Sequence, residues 1–416
     1  MKNILIISFD LVREGEVKTS LAIASLLAYV KNDKRYGNDF IVDHLSFNMV
    51  ELKNTITNEY IEQYLSTFQL ENFDTIGISS YIWNEYLLKP LIKNLRGLGF
   101  VGKIVLGGYQ ITYSTKEKLR YKYPEADIFI LGYAEKSFLQ SILIDKPTKP
   151  IYLDSLVDFS KIPSVYISNE IQISQDQRMI RLETKRGCPY RCSFCAHRDL
   201  RKNKLYKHEI SKIFEELSFL KSKNIKRINV LDPVFNIGND YLNILQEVER
   251  INFYGHITLQ TRFEMIKGKK GKKFLDLLER INAHLEFGLQ TVIEDEYKVI
   301  NRSNDIKMIR SILHQLKRRN ISYEVSLIYG LPNQTIDSFK YSIDFLLSNG
   351  CNNIIAYPLM LLKGTELYEQ KEKYHFLEKT LGDFNIPTVI ASNSFSKNDW
   401  LKMDKIAETL DPNVRL

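Results

Sequence analysis

The chain has 416 residues, of which 44% are apolar and 26% charged, the balance of a folded globular protein and not of a disordered or fibrous one. Lysine and arginine exceed the acids by 58 to 50, and the net charge of +8 attracts phosphates and acidic peptides without selecting a partner. No apolar run approaches the ~20 residues of a membrane span. The opening Met1-Lys2-Asn3-Ile4-Leu5-Ile6-Ile7-Ser8-Phe9-Asp10 reads as a strand and not a signal peptide, so the cytoplasm is the expected compartment.

Through residues 1–145, short β-rich runs alternate with amphipathic stretches. Strands are expected at 3–9, 40–44, 75–80, 103–106 and 128–131, with helices at 20–31, 83–98 and 116–123. Such alternation implies an α/β domain, a parallel sheet of the doubly wound, flavodoxin-like or Rossmann-like kind. Sheets of this kind bind ligands beyond the carboxyl ends of their strands. Those ends carry Ser79-Ser80-Tyr81, Gly107-Gly108-Tyr109 and Gly132-Tyr133-Ala134-Glu135.

Pro147, Pro150 and Pro163 mark residues 146–180 as a linker, with a hairpin expected at 171–181. From 181 the alternation resumes, with strands expected at 181–184, 227–231, 257–261, 284–289, 323–329 and 353–358. Between them, Ile210, Ile213, Phe214, Leu217 and Leu220 recur at helical spacing, as do Phe339, Ile343 and Leu346 behind an N-cap at Thr335. Six βα units over 181–367 make either an open sheet or a partial barrel. Residues 368–416 carry weak periodicity and are expected to form a short helical cap.

Three of the four cysteines fall within eight positions, in Arg186-Gly187-Cys188-Pro189-Tyr190-Arg191-Cys192-Ser193-Phe194-Cys195. That crowding suits metal or nucleophilic chemistry better than a disulfide scaffold. Thiolates select zinc or iron–sulfur clusters. Three on one loop would hold three irons of a [4Fe–4S] cluster and leave the fourth open, whereas zinc would want a fourth ligand such as His197. Cys351 stands alone at the entrance of the sixth strand, where a buried structural thiol is expected.

This C-x3-C-x2-C spacing, with Phe194 before the last cysteine, resembles that of radical S-adenosylmethionine enzymes. The resemblance runs from about 181 to 367 and includes Asp232-Pro233-Val234-Phe235-Asn236, Glu286-Phe287-Gly288-Leu289-Gln290-Thr291, Asn301-Arg302, Tyr329-Gly330-Leu331-Pro332 and Pro358 to Leu367. It implies a partial (β/α)6 TIM-type barrel in which Cys188, Cys192 and Cys195 bind a [4Fe–4S] cluster. The open iron would chelate S-adenosylmethionine, which one electron cleaves to a 5′-deoxyadenosyl radical. Phe194, Asp232, Asn236, Glu286 and Gln290 are the cofactor-binding residues it implies. Arg262 with Glu264 reads either as a cofactor contact or as a structural ion pair, and Tyr329 and Tyr357 either border substrate or pack in the core.

The first domain resembles the cobalamin-binding domains fused to this barrel, and Tyr81, Trp83, Gly107 and Gly108 are the residues it assigns to cobalamin. Two departures stand out: there is no Asp-x-His-x-x-Gly, and Gly132-Tyr133-Ala134-Glu135 replaces the usual Gly-Glu-Gly-Glu. With cobalamin, the resemblance implies a C-methyltransferase acting on a peptide or natural-product precursor. Without it, the first domain only shapes the site of a peptide epimerase, cyclase or rearranging enzyme. The expected partners are a peptide or small-molecule substrate and an electron donor such as flavodoxin or ferredoxin, with no membrane and no nucleic acid. The sequence assigns no catalytic side chain and no substrate.

Overall fold

Six runs rich in isoleucine, valine and phenylalanine pair side by side at the start of the chain. They are β1 (Lys2–Asp10), β2 (Phe40–Asn48), β3 (Thr75–Ser79), β4 (Lys103–Gly107), β5 (Ile128–Ile130) and β6 (Ile151–Leu153), all parallel, in the order β2-β1-β3-β4-β5-β6. The computed structural model describes residues 1–52, 58–197 and 201–411, which divide into two units, Met1–Gln177 and Arg178–Leu416.

A parallel sheet is covered on both faces, which is why β1 is buried from Ile4 to Asp10 and reads as a near-continuous apolar run. Leu27 and Val30 of helix Leu21–Lys31 and Phe138 and Ile142 of helix Glu135–Leu143 share one core with Ile4, Phe40, Val105 and Ile128. Each such side chain contributes about 1.5–3 kcal/mol on burial. Gly77 is part of that fit, since a Cβ there would meet the Phe138 ring at 2.7 Å.

Strand β6 lies in the stretch expected to be a linker. The Leu131 amide donates to the Leu153 carbonyl (2.8 Å) and the Ile151 amide to the Asp127 carbonyl (3.1 Å), so tertiary pairing makes a strand of three residues beside Pro150. The hairpin expected at 171–181 does not form. Ile171 turns back onto the Val165 carbonyl (3.0 Å), and the residues after it enter the second sheet as a parallel strand.

That sheet contains β7 (Met179–Leu182) and, after the antiparallel pair β8 (Lys185–Gly187) and β9 (Leu205–Lys207), five more strands. These are β10 (Arg227–Val230), β11 (His256–Thr261), β12 (Ala283–Gln290), β13 (Ser322–Tyr329) and β14 (Ile354–Pro358). The order β14-β13-β12-β11-β10-β7 is strictly sequential and parallel, the sheet of the expected partial barrel. Its helices bury one face each; in Ile306–Arg318 the buried residues are Ile309, Ile312, Leu313 and Leu316. Thr335 caps helix Ile336–Ser348 through a capping box with Ser338, as expected.

The C-terminal region is only half helical. An antiparallel hairpin, β15 (Leu377–Leu381) and β16 (Ile386–Ala391), precedes helix Lys397–Leu410, which buries Trp400, Met403 and Ala407. Among the described residues no helix is long and apolar enough to cross a membrane.

Candidate functional site

The cysteine loop leaves the second sheet between β8 and β9, whose pairing closes its base. Gly187 makes the turn into it at φ +85, a conformation glycine adopts freely. The loop is then pinned from outside: the Ser193 amide donates to the Ile300 carbonyl (2.9 Å), the Leu367 amide to the Ser193 carbonyl (3.0 Å) and Asn301 Nδ2 to the Arg191 carbonyl (2.9 Å). Cys188 and Cys192 are buried and Cys195 is half-buried.

All three thiols line one cavity of 420 Å³, together with Phe194, Glu286, Gln290 and Tyr357. Among the described residues, no group of three His, Cys, Asp or Glu side chains could hold a single metal ion. Three thiols on the wall of a cavity fit the donor set of a four-iron cube, which takes thiolates and spreads them over separate irons. His197, the candidate zinc ligand, lines the same cavity.

Two guanidiniums converge on Cys192. Arg262 Nη1 lies 4.0 Å from its Sγ and Arg302 Nη1 lies 3.9 Å away, and both arginines are more than nine-tenths buried. Arg262 also pairs with Glu264 (Nε to Oε2, 3.2 Å) and lies 3.8 Å over the Tyr190 ring. It is therefore the ion pair anticipated as one alternative and a cysteine contact besides. Arg302 donates through Nη2 to the Gly288 carbonyl, while its Nε is buried without a partner. Burial, then the charge of Arg262, pull the Arg302 pKa down, and the Cys192 sulfur opposes them.

The Asp232 to Asn236 segment builds the site without its two polar ends lining the cavity. Asp232 is fully buried and accepts from the Thr184 amide (2.8 Å), the Lys185 amide (3.1 Å) and the Thr184 hydroxyl, with Lys185 Nζ at 3.7 Å. Burial raises its pKa, against the pull of Lys185. Asn236 exchanges hydrogen bonds with the backbone of Arg262: its Nδ2 donates to the carbonyl (2.9 Å), and its Oδ1 accepts from the amide (3.0 Å). One end fixes the stem of the cysteine loop, the other fixes Arg262. Pro233 and Val234, between them, are the residues that line the cavity.

On β12, Glu286 faces the cavity and Gln290 closes its rim at φ +73, after an irregularity in the pairing with β13. A Cβ at Gly288 would meet Gln290 Nε2 at 2.6 Å, so the end of the Gln290 side chain would have to shift. Burial raises the Glu286 pKa and Glu324, its register partner on β13, adds to the rise. Glu324 lines the same cavity and the sequence reading missed it, although its parity on β13 matches that of Ser326. His284 sits one layer away, bonded to Glu324 (3.2 Å) and Ser322 (2.7 Å).

The remaining motifs brace the frame. Thr291 Oγ1 donates to Glu296 (2.5 Å), as do Gln334 Nε2 (3.3 Å) and Ser338 Oγ, while Gln334 Oε1 accepts from the Gly330 amide (2.6 Å). Tyr329 belongs to the core, donating to Asp404 (2.5 Å), whereas Tyr357 borders the cavity. Cys351 is buried, and burial pushes its thiol up to about 11.

In the first unit, Tyr81, Trp83, Gly107 and Gly108 gather at the carboxyl edge of β3 and β4. Tyr81 and Trp83 stack at 4.7 Å and 9°, and Trp83 Nε1 donates to the Phe9 carbonyl (2.9 Å). Gly108 is held at φ +101, where a Cβ would lie 2.5 Å from the Ser80 carbonyl oxygen. Gly107 is different: a Cβ there would meet only Ile130 Cβ, at 3.6 Å. Beside it the Ser80 hydroxyl and Gln110 Oε1 are buried without hydrogen-bond partners among the described residues. A glycine where a Cβ would clash with nothing and two orphaned polar atoms fit an occupant of this edge. Tyr133 packs edge-on against Phe159 at 5.4 Å.

Residues 182–346 match the radical SAM superfamily. The chain is 23% identical over 341 residues to the cobalamin-dependent radical SAM methyltransferase TokK of Streptomyces tokunonensis, covering 72% of this chain and 49% of that protein. It is 24% identical over 268 residues to the ribosomal protein uS12 methylthiotransferase RimO of Acetivibrio thermocellus, covering 62% and 59%. The chain thus spans about half to three fifths of these curated relatives. Among solved structures it resembles the radical S-adenosylmethionine methyltransferase TsrM from Kitasatospora setae, with tryptophan and a SAM analogue bound. The TM-score is 0.71 at 14% identity, over 99% of this chain and 89% of that one. The cobalamin-dependent enzyme OxsB gives 0.63 at 14%, over 100% and 62%. At these identities the likeness is one of fold.

Proposed function

We propose that the chain, whose residues 182–346 match the radical SAM superfamily, is a radical SAM enzyme and a cobalamin-dependent C-methyltransferase acting on a peptide or natural-product precursor. The [4Fe–4S] cluster and S-adenosylmethionine follow from the family; when bound they supply a 5′-deoxyadenosyl radical, and cobalamin would supply the methyl group. Cys188, Cys192 and Cys195 hold the cluster. Phe194 and Gln290 shape the adenosylmethionine side of the cavity, and Glu286 and Glu324 its acidic wall. Arg262 and Arg302 balance the charge of the sulfurs. A reduced flavodoxin- or ferredoxin-like protein delivers the electron.

The observation that carries the cobalamin part is the edge at Gly107, where a Cβ would make no contact closer than 3.6 Å and the Ser80 and Gln110 side-chain atoms are orphaned among the described residues. TokK, TsrM and OxsB, each described as a cobalamin-dependent or radical SAM methyltransferase or enzyme, support it. The methylthiotransferase relatives do not compete equally. All four cysteines lie after residue 187, so the first unit has no thiolate for a second cluster.

Absorption spectra of protein produced with the vitamin supplied test the reading. About one corrinoid per chain, with label passing from methyl-labelled S-adenosylmethionine to product, is the expected result. No corrinoid under good loading, with S-adenosylmethionine still cleaved, would favour the cobalamin-independent epimerase, cyclase or rearranging enzyme.

A further inference from the structure

The buried charges around Cys192 do not balance among the protein's own fixed ions. Arg262 and Arg302 are 7% and 8% exposed and share one sulfur, yet among the described residues only Glu264 pairs with either of them. Like charges this close are costly in a poorly solvated site, and a second guanidinium persists there only beside further negative charge. The Cys192 thiolate and the cluster attached to it are the negative charge within reach.

We propose that Arg262 and Arg302 set the reduction potential of the cluster, raising it by hydrogen-bonding and charge at the Cys192 sulfur. This rests on the radical SAM assignment and goes beyond it. Reduction from the 2+ to the 1+ state adds one electron from the reduced donor protein and no proton, so the site gains one full negative charge. Two fixed cations at 3.9 and 4.0 Å favour the reduced state over the oxidised one. Net charge, hydrogen bonds to sulfur and exclusion of solvent are the ordinary determinants of such potentials. Each arginine is held for the task by other groups. Asn236 grips the Arg262 backbone, Tyr190 and Glu264 hold its guanidinium, and the Gly288 carbonyl holds Arg302.

The test is an electron-paramagnetic-resonance redox titration of cluster-loaded full-length protein without S-adenosylmethionine, which removes any contact of the arginines with that molecule. Arg302→Gln and Arg262→Gln should each move the midpoint to more negative potential with iron and sulfide content unchanged. Arg302→Lys, which keeps the charge, should lie between Arg302→Gln and wild type. Cleavage of S-adenosylmethionine by the Gln variants should fall with a flavodoxin donor and recover with a stronger chemical reductant. Fully loaded Gln variants with wild-type midpoints would overturn the proposal and leave the family assignment intact. Should Arg302→Gln not load, Arg262→Gln and Arg302→Lys decide it. Wild-type protein that forms no cluster would instead defeat the underlying reading.

Discussion

Burial would push the Glu183 carboxyl up, but Arg186 at 2.7 Å and His208 at 3.2 Å hold it down, at about 2 against an ordinary 4.5. A carboxylate whose pKa falls on folding stabilises the fold above its unfolded value and loses that contribution as pH drops through the folded one. The Glu183 contribution is therefore complete above pH 4.5 and lost between 4.5 and about 2. Glu183→Gln should lower stability at pH 7 by about 2–3 kcal/mol, with the deficit closing across that window in urea titrations at stepped pH. The side chain sits at the stem of the cysteine loop, so the same variant should weaken cluster retention at pH 7, where its deficit is full, and match wild type in acid. The four cysteines divide by environment in a similar way. Changing Cys188, Cys192 and Cys195 together to Ala should remove all cluster iron, whereas Cys351→Ala should keep about four irons per chain. Iron retained at that level in the triple variant would refute the ligand assignment.

At the scale of elements, β4 reaches a helix end through one buried amine. Lys103, 3% exposed, donates from Nζ to the carbonyls of Ser141 (2.7 Å), Ile142 (3.3 Å) and Ile144 at the end of helix Glu135–Leu143, with Lys2 Nζ sharing the Ile142 carbonyl (3.4 Å). Burial lowers its pKa to about 8 from an ordinary 10.5. Between those values the unfolded chain binds the extra proton, so this group makes stability rise with pH from about 8 to 10.5. Lys103→Met should abolish that rise and cost about 1–3 kcal/mol at neutral pH through the orphaned carbonyls, both readable in chemical denaturation. The strands and helices that alternate along the two sheets were legible in the sequence; β6, the β8–β9 pair and the β15–β16 hairpin were not. Strand β6 is three residues between Pro150 and Asp154, and only its pairing with β5 makes it a strand. Hairpin β15–β16 had a usable signal, Gly382-Asp383 between two β-rich runs, hidden by an expectation of helix. That Cys188, Cys192 and Cys195 share one cavity could be read from their spacing, and the positions of Asp232 and Asn236 behind its wall could not. A motif names residue types, while the choice between lining a cavity and bracing it depends on where Thr184 and Arg262 fall in space.

The whole molecule divides its proposed chemistry between two units, and that division can be tested by damaging one at a time. Cys188, Cys192 and Cys195 belong to the second unit, and Gly107 with the orphaned Ser80 and Gln110 atoms to the first. Gly108 is a poor probe. Its φ of +101 and the 2.5 Å approach to the Ser80 carbonyl mean that any side chain strains the backbone, by about 1–3 kcal/mol. Gly107 has no positive φ, and a Cβ there would make ordinary contact with Ile130 Cβ at 3.6 Å, so Ala fits while Leu reaches beyond that contact. Gly107→Ala should bind corrinoid nearly as wild type does, and Gly107→Leu should lose it by absorption. Both should keep their [4Fe–4S] cluster and still cleave S-adenosylmethionine, while methyl transfer disappears in Gly107→Leu alone. Undiminished corrinoid in Gly107→Leu would place cobalamin elsewhere than this edge. Loss of the cluster together with the corrinoid would show that the two units do not load independently.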